Sequence, residues 1–188
     1  MILFENKYRI ESTRLQKWDY GWNGKYFVTI VTLFRKCYFG KIVYDEMELS
    51  EIGENAQKCW LEIPIHFPFV KLGEFIVMPN HVHGIIIIDK KNNVNGNNDG
   101  NVETQNFASL QSQSQSHQLK NHFGSQSQNL ASIIRGYKIG VTKLVNNVDF
   151  GWQPRFHDHI IRNEIECNRI NNYIINNPLF WNNDEFKL

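Results

Sequence analysis

The chain has few cysteines, and their spacing suits neither disulfides nor metal binding. Cys37, Cys59 and Cys167 are far apart in a sequence of 188 residues and form no C-x-x-C pair. This argues against a disulfide framework and against a zinc knuckle. Free cysteines of this kind are typical of a reducing compartment, so we expect a cytoplasmic protein.

Long apolar runs are also absent from the sequence. No stretch approaches the roughly 18 apolar residues that a membrane-spanning helix needs. The first residues, MILFENKYRIESTRL, carry too many charges and too short an apolar part for a signal peptide. We therefore expect no membrane partner.

The chain lacks a strong charge of either sign, since its net charge is +1. A nucleic-acid partner would therefore have to be bound by a local cationic patch. Hydrophobic residues make up 41% of the chain and aromatic residues 13%, which is typical of a globular protein. The length suits one domain, residues 1–188, with a sizeable core.

Strand and helix patterns follow one another without strict alternation. The patterns predict a strand at 25–34, a short hairpin at 37–49, a helix that begins after Ser50 and ends at Pro64, strands at 69–78 and 81–89, a helix at 130–145, a loop with a short strand at 149–162, and a helix from Asn163 to Pro178. This order predicts an α+β domain whose mostly antiparallel sheet has helices packed on one face.

Residues 90–129 differ in kind from the rest of the chain. Of these 40 residues, 22 are Asn, Gln or Ser. Such a composition buries too little apolar area to offset the entropy lost on ordering. We therefore interpret this stretch as a flexible insertion within the domain rather than as a domain boundary.

Two histidines stand at the start of the predicted strand HVHGIIIID. Alternate side chains of a strand point the same way, so His81 and His83 share one face while Val82 points into the core. Taken alone, the pair is either two half-exposed imidazoles or two ligands of one metal ion. A metal site would need at least one further oxygen or nitrogen ligand.

The last predicted helix offers further polar groups. Tyr173 and Asn177 are four residues apart, so they are neighbours on the helix surface, beside its apolar stripe. If that stripe packs on the sheet, both side chains reach its edge. Spacing alone favours a tyrosine at the margin of the core. Pro178 biases Asn177 away from helical geometry.

The segment WQPRFHDHIIR mixes cationic and aromatic residues, and the preceding helix adds two cations on its flank. This mixture suits phosphate contacts and base stacking on single-stranded DNA, but also a solvated loop with one buried tryptophan. Asp158 could orient a histidine. The candidate DNA-binding residues are Trp152, Arg155, His157, His159, Arg162, Arg135 and Lys138.

Three motifs, VMPNHVHGIII, WQPRFHDHIIRN and YIINNP, together resemble the REP-associated tyrosine transposases, which belong to the single-tyrosine transposases of the HUH nuclease superfamily. The resemblance covers nearly the whole chain except residues 90–129. It implies a ferredoxin-like sheet that carries the H-x-H pair. It also implies Tyr173 as nucleophile and His81, His83 and Asn177 as metal ligands, although many relatives have Gln at the last position.

The resemblance implies an activity as well. Tyr173 would attack a DNA phosphodiester to give a 5′-phosphotyrosine link and a free 3′-hydroxyl, with Mg²⁺ or Mn²⁺ at the histidine pair. The partners would be single-stranded DNA or DNA hairpins, and the protein a monomer or a homodimer. Two alternatives stay open: a replication-initiator-like nicking enzyme, and a domesticated protein that binds hairpins without cutting them.

Overall fold

The computed structural model describes residues 18–90, 128–145 and 147–187. Its elements in chain order are strands β1 (Gly24–Val31), β2 (Gly40–Val43) and β3 (Glu46–Leu49), helices α1 (Glu51–Leu61) and α2 (Ile63–His66), strands β4 (Val70–Val77) and β5 (His81–Ile88), helix α3 (Leu130–Leu144), strand β6 (His157–Ile161) and helix α4 (Glu164–Asn176). Two 3-10 helices, Leu33–Arg35 and Asn177–Asn183, follow β1 and α4. None of the helices in these ranges is long and apolar enough to cross a membrane.

Four strands form one antiparallel sheet in the order β4-β5-β1-β6, and β2 and β3 form a separate hairpin. Helix α1 follows β1 and its hairpin, and α3 lies between β5 and β6 in the chain. This connectivity and strand order are those of a ferredoxin-like fold. The expected α+β class with an antiparallel sheet is therefore confirmed.

One face of the sheet packs against α1 and α3 around the indole of Trp60. Trp60 is fully buried, and its ring stacks on Phe75 at a centroid distance of 5.7 Å. It also lies directly on the backbone of β5, where a Cβ added to Gly84 would meet Trp60 Cζ2 at 2.2 Å. Glycine at this position therefore lets a large aromatic ring reach the sheet, and that burial contributes about 1.5–3 kcal/mol or more.

The opposite face carries His81 and His83 and is covered by α4. The apolar cluster on this side consists of Ile85, Ile161, Cys167, Ile170 and Ile174. The sequence pattern predicts helices on one face of the sheet; α1 and α3 lie on that face, whereas α4 packs on the other side. The reason lies in the four consecutive isoleucines of β5, which present apolar side chains to both faces, so that both must be covered.

The helix caps follow the local sequence signals only in part. Ser50 caps α1, and Asn163 caps α4 by accepting a hydrogen bond from the Glu166 backbone N–H at 2.8 Å. Glu166 does not complete a capping box with Asn163. The Glu166 carboxylate instead accepts from the backbone N–H of Arg162 at 2.9 Å and contacts His159 Nε2 at 2.7 Å. Glu166 thus ties α4 to the end of β6.

The predicted insertion lies almost entirely outside the described residues, but both of its ends are described. Lys90 Nζ donates to the carbonyl of Gly21 at 2.6 Å. At the other end, the Leu130 N–H donates to the carbonyl of Tyr20 at 3.0 Å. The chain thus leaves the fold and re-enters it at the same turn, so a short linker could join the two ends.

Replacing residues 92–127 with a short Gly/Ser linker is expected to leave the thermal unfolding midpoint within a few degrees of the parent. The ends are already held together, and loop-closure entropy changes only slowly with length. Thermal unfolding followed by circular dichroism measures this. Leu130→Ala, at a fully buried position, is the positive control and should cost about 2–5 kcal/mol. A comparable loss in the linker variant would mean that the replaced residues pack on the domain.

Candidate active site

The two histidines of β5 are buried side by side. His81 is 0% exposed and His83 is 1% exposed, and their ring centroids are 4.4 Å apart. The Nδ1 atom of each ring has a partner: Asn80 Oδ1 lies 2.8 Å from His81, and Thr29 Oγ1 lies 2.9 Å from His83. The Nε2 atom of each ring is therefore the one left for other contacts.

The Nε2 atoms face α4 and the chain that follows it. Nε2 of His83 lies 3.2 Å from the hydroxyl of Tyr173. Nε2 of His81 is buried without a hydrogen-bond partner and lies 4.0 Å from Asp184 Oδ2. Tyr173 is 44% exposed, so its hydroxyl sits at the boundary between the buried histidines and solvent.

Asn177 also reaches this group, since its side chain lies within hydrogen-bonding reach of His81, Tyr173 and Asp184. The proline that follows it was expected to pull it out of helical geometry, yet Asn177 has φ −56° and ψ −39°. The chain continues as a 3-10 helix whose Trp181 is buried near His81, at a centroid distance of 6.2 Å, and this packing holds Asn177 in place. The Asn177 side chain is buried, and its Oδ1 atom has no hydrogen-bond partner.

Asp184 joins the histidines, although the sequence analysis did not find it. One ligand atom from each of His81, His83 and Asp184 lies within 4.8 Å of the other two, so the group could bind a metal ion. Asp184 comes after the second 3-10 helix, which folds the chain back over the sheet. No periodicity in WNNDEF indicates that return, and the isolated acidic residues there were the one available signal.

The chemistry of these atoms fits a cation. His81 Nε2 and Asn177 Oδ1 are buried acceptors without a donor, and a carboxylate oxygen lies beside them. A buried acceptor left without a partner costs about 1–3 kcal/mol. A divalent ion would satisfy several such lone pairs together, whereas a single hydroxyl can donate only one hydrogen bond.

Burial sets the protonation states here. It lowers the pKa of His83 to about 3, and burial together with repulsion from His83 lowers the pKa of His81 well below its ordinary value. Both rings are therefore neutral at pH 7, which is the form that binds metals. Burial, and then the nearby Asp184, raise the pKa of Tyr173, so it is a phenol rather than a phenolate at that pH.

The last described residues cover the histidines. The ring of Phe186 lies 5.0 Å from His81 and 6.1 Å from His83 between centroids, and Phe186 is itself buried. Its carbonyl accepts from Asn80 Nδ2 at 2.7 Å, and the Glu185 carbonyl accepts from Arg35 Nη1 at 2.8 Å. In this conformation the C-terminal segment, residues 184–187, separates the imidazoles from solvent.

Strand β6 places two more histidines on the same face of the sheet. His157 pairs with Thr29 and His159 with Phe27, and residues paired across strands point the same way. Thr29 also pairs with His83, so His83, Thr29 and His157 form one row across three strands. Both β6 histidines are exposed, as are the predicted DNA-binding residues Arg135, Arg155 and Arg162.

Trp152 and Lys138, the other predicted DNA-binding residues, are engaged in internal contacts. The indole of Trp152 packs on Phe39 and Tyr137 at centroid distances of 5.5 and 5.8 Å. Lys138 Nζ donates to the Arg155 carbonyl at 2.6 Å, and burial lowers its pKa to about 8. The indole thus packs against the core, and the Lys138 ammonium holds the loop before β6.

Comparison with known proteins gives two findings. An uncharacterised protein of Haemophilus influenzae is 37% identical over 177 residues, covering 93% of this chain and 91% of that protein. The chain belongs to the same family as this protein. No family model matches the chain.

Among solved structures, the chain is similar to a REP-associated tyrosine transposase bound to a REP hairpin. The TM-score is 0.55 with 17% sequence identity, over 89% of this chain and 73% of that one. At this identity the likeness shows a common fold. The sheet that carries the histidine pair here thus belongs to a fold that the two proteins share.

Proposed function

We propose that this protein is a metal-dependent single-stranded DNA endonuclease and strand transferase of the REP-associated tyrosine transposase type. The observation that carries the proposal is the 3.2 Å contact between the Tyr173 hydroxyl and His83 Nε2. It brings a partly exposed nucleophile to a buried pair of neutral imidazoles, across 90 residues of sequence. A tyrosine whose only role was to cover the core would not need a contact between its hydroxyl and a buried histidine.

The proposed ligands are His81 and His83, with Asn177 and Asp184 as the oxygen donors beside them. Two imidazole nitrogens with amide and carboxylate oxygens suit Mn²⁺ or Mg²⁺, and sulfur ligands are absent from the group. A divalent ion bound there would polarise a scissile phosphate and offset the negative charge that develops on it. The fold thus positions these side-chain nitrogens and oxygens in the protein without bound DNA.

Tyr173 is the proposed nucleophile. Its Oη atom forms a bond to phosphorus while the bond from phosphorus to the 3′-oxygen breaks. The phenol loses its proton and the 3′-oxygen gains one, which leaves a 5′-phosphotyrosine and a free 3′-hydroxyl. Because the covalent link keeps the energy of the broken bond, the reverse reaction can join strands without a nucleotide cofactor.

The proposed DNA partner is a single strand or a hairpin, bound along β6. This edge strand presents His157 and His159 on the face that carries His83 and Tyr173, and Arg155 and Arg162 flank it. A local cationic strip of this kind suits a phosphate backbone, although the whole chain is nearly neutral. We further propose that residues 1–188 form one domain with residues 90–129 as an insertion.

The double variant Arg155→Ala, Arg162→Ala is expected to bind single-stranded DNA more weakly and with a shallower dependence on salt. Each lost phosphate contact removes about 0.7 from the slope of log K against log salt. Fluorescence anisotropy with a labelled hairpin at several salt concentrations measures both quantities. Lys41→Ala, an exposed lysine of the β2–β3 hairpin, is the control that should change neither. An unchanged slope in the arginine variant would place the DNA elsewhere.

The central experiment mixes the protein with labelled single-stranded hairpins in Mn²⁺, in Mg²⁺ and in a chelator. Cleavage should require the metal and should leave a protein–DNA adduct that survives denaturing electrophoresis. Labels on the two ends of the hairpin should show that the protein is joined to the 5′ end of the fragment 3′ of the cut, while the other fragment ends in a free 3′-hydroxyl. Cleavage in the presence of the chelator, or cleavage without adduct, would contradict the proposal.

A second candidate function is hairpin binding without cleavage. It is favoured by the burial of both histidines beneath Phe186, which keeps them from contact with a phosphate in this conformation. The Phe186→Ala variant separates the two functions, because it removes the cover and leaves the ligands. If the parent and this variant both bind hairpins and neither cleaves them, the binding protein is the better description.

A further inference from the structure

Asn80, the residue before the histidine pair, is fully buried, and each polar atom of its side chain has a partner. Nδ2 donates to the carbonyl of Arg35 at 2.9 Å and to that of Phe186 at 2.7 Å, while Oδ1 lies 2.8 Å from His81 Nδ1. Carbonyl oxygens only accept hydrogen bonds, so the two carbonyls require the amide nitrogen on their side. The orientation of the amide is therefore determined by its surroundings.

The orientation of Asn80 decides where the proton of His81 sits. Oδ1 has lone pairs and no proton, so the nitrogen that faces it must donate, and His81 carries its proton on Nδ1. A neutral imidazole has one N–H, which leaves the lone pair on Nε2. That is the atom found buried without a partner, 4.0 Å from Asp184 Oδ2.

The backbone of Asn80 is held as firmly as its side chain. Its carbonyl accepts from the backbone N–H of Thr32 at 2.9 Å and from the Thr32 hydroxyl at 3.0 Å. Asn80 therefore connects three parts of the chain: the entry of β5, the turn after β1, and the C-terminal segment. A side chain fixed at this many points can hold an imidazole in one orientation.

We infer that Asn80 is a positioning residue that holds His81 as its Nδ1–H tautomer and aims the Nε2 lone pair at Asp184 and Asn177. The inference rests on the proposed function in one respect, namely that the lone pair serves a divalent ion. His83 differs, because its partner Thr29 is a hydroxyl that can donate or accept. An amide oxygen can only accept a hydrogen bond, so Asn80 fixes the tautomer of His81, whereas the hydroxyl of Thr29 does not fix that of His83.

The tautomer can be read directly from the metal-free protein. With ¹⁵N-labelled histidine, long-range ¹H–¹⁵N correlation spectra at neutral pH should show His81 with a protonated Nδ1 and an unprotonated Nε2. In Asn80→Ala, His81 should lose this single tautomer while His83 keeps its signals. Thr29→Val is the matched control and should alter His83 and leave His81 unchanged. A protonated Nε2 on His81 in the parent, or the parent pattern in Asn80→Ala, would overturn the inference.

Metal binding supplies a second readout. Calorimetric titration with Mn²⁺ should show a 10- to 100-fold weaker affinity in Asn80→Ala, which is about what loss of a group orienting a ligand costs. Asn80→Asp keeps an acceptor for His81 Nδ1 but cannot donate to the two carbonyls, so it should retain the tautomer and bind better than the alanine variant. If Asn80→Asp retained the tautomer but bound Mn²⁺ as weakly as Asn80→Ala, the tautomer would not set the affinity. Asn80 would then only hold the surrounding chain in place, and the inferred role towards the metal would be overturned. A parent that binds no Mn²⁺ would contradict the proposed function, whereas the spectra would still decide the tautomer.

Discussion

Tyr173→Phe is expected to abolish strand cleavage and the covalent protein–DNA adduct while the domain stays folded. The change removes one oxygen from a side chain that is 44% exposed, so no cavity opens in the core. The contact with His83 at 3.2 Å is lost, but the histidines keep their partners Asn80 and Thr29. Loss should exceed 1,000-fold, because no other oxygen replaces the nucleophile.

The measurement compares adduct formation, hairpin binding and Mn²⁺ binding in the same preparation. Hairpin and Mn²⁺ affinities should remain within a few-fold of the parent, so that the defect lies in the chemical step. Tyr44→Phe is the matched control, because Tyr44 is 96% exposed in the turn between β2 and β3. If the Tyr173 variant still formed the adduct, mapping the DNA-bound peptide would name another nucleophile.

The structure narrows the choice among the tyrosines. Tyr26 and Tyr137 are buried in the cluster on the face of the sheet opposite the histidines. The Tyr38 hydroxyl donates to the carbonyl of Asp149, a residue that belongs to neither β5 nor α4, so this hydroxyl has a partner away from the histidines. Tyr173 instead combines partial exposure with a direct contact to the H-x-H pair. This combination is what a nucleophile needs, because it must meet both the metal ligands and the DNA.

The strand and helix periods explain why the centre of this site could be predicted. A spacing of two in a strand puts His81 and His83 on one face, and a spacing of four in a helix puts Tyr173 beside Asn177. Both relations are local, so they survive any uncertainty about tertiary packing. The structure places the Tyr173 hydroxyl 3.2 Å from His83 Nε2 and the Asn177 side chain within reach of His81, while the roles that the resemblance implies for these four residues stay predictions.

The rest of the site depends on where the chain turns, which local periods do not reveal. The sequence predicts that the last helix ends at Pro178, but the chain continues as a 3-10 helix in which Trp181 is buried. That turn brings Asp184 and Phe186 over the histidines. Likewise, the composition of its segment predicts that Trp152 stacks on DNA bases. In the structure its indole packs on Phe39 instead.

The sequence of β5 could have predicted that the face now covered by α4 needs cover. Ile85 and Ile87 lie on the side of β5 that carries the histidines, and Ile86 and Ile88 lie on the other. A strand that is apolar on both faces requires cover on both. The cover explains why the imidazoles are neutral, since burial is the main cause of their lowered pKa values. The architecture of the sheet thus keeps both imidazoles in the neutral form that the proposed metal site needs.

His81→Ala and His83→Ala are each expected to weaken Mn²⁺ binding by at least 100-fold and to abolish cleavage. The ligand atoms lie within 4.8 Å of one another, so each imidazole contributes to the same small site. One imidazole with a few oxygens is a weak site for Mn²⁺ or Mg²⁺, which favour oxygen ligands and keep several waters. Calorimetry measures the affinity, and His66→Ala, an exposed histidine at the end of α2, is the control.

The same titration distinguishes the two oxygen donors that the structure offers. Asp184→Asn keeps the shape of the side chain but removes a negative charge next to the ion, so it should weaken Mn²⁺ binding more than Asn177→Ala does. Thermal unfolding of every variant is needed alongside, because His81, His83 and Asn177 are buried and their loss leaves cavities. If all the variants fold and titrate like the parent, the buried acceptors do not form a metal site. The reverse order for the two oxygen variants would make Asn177, rather than Asp184, the principal oxygen ligand.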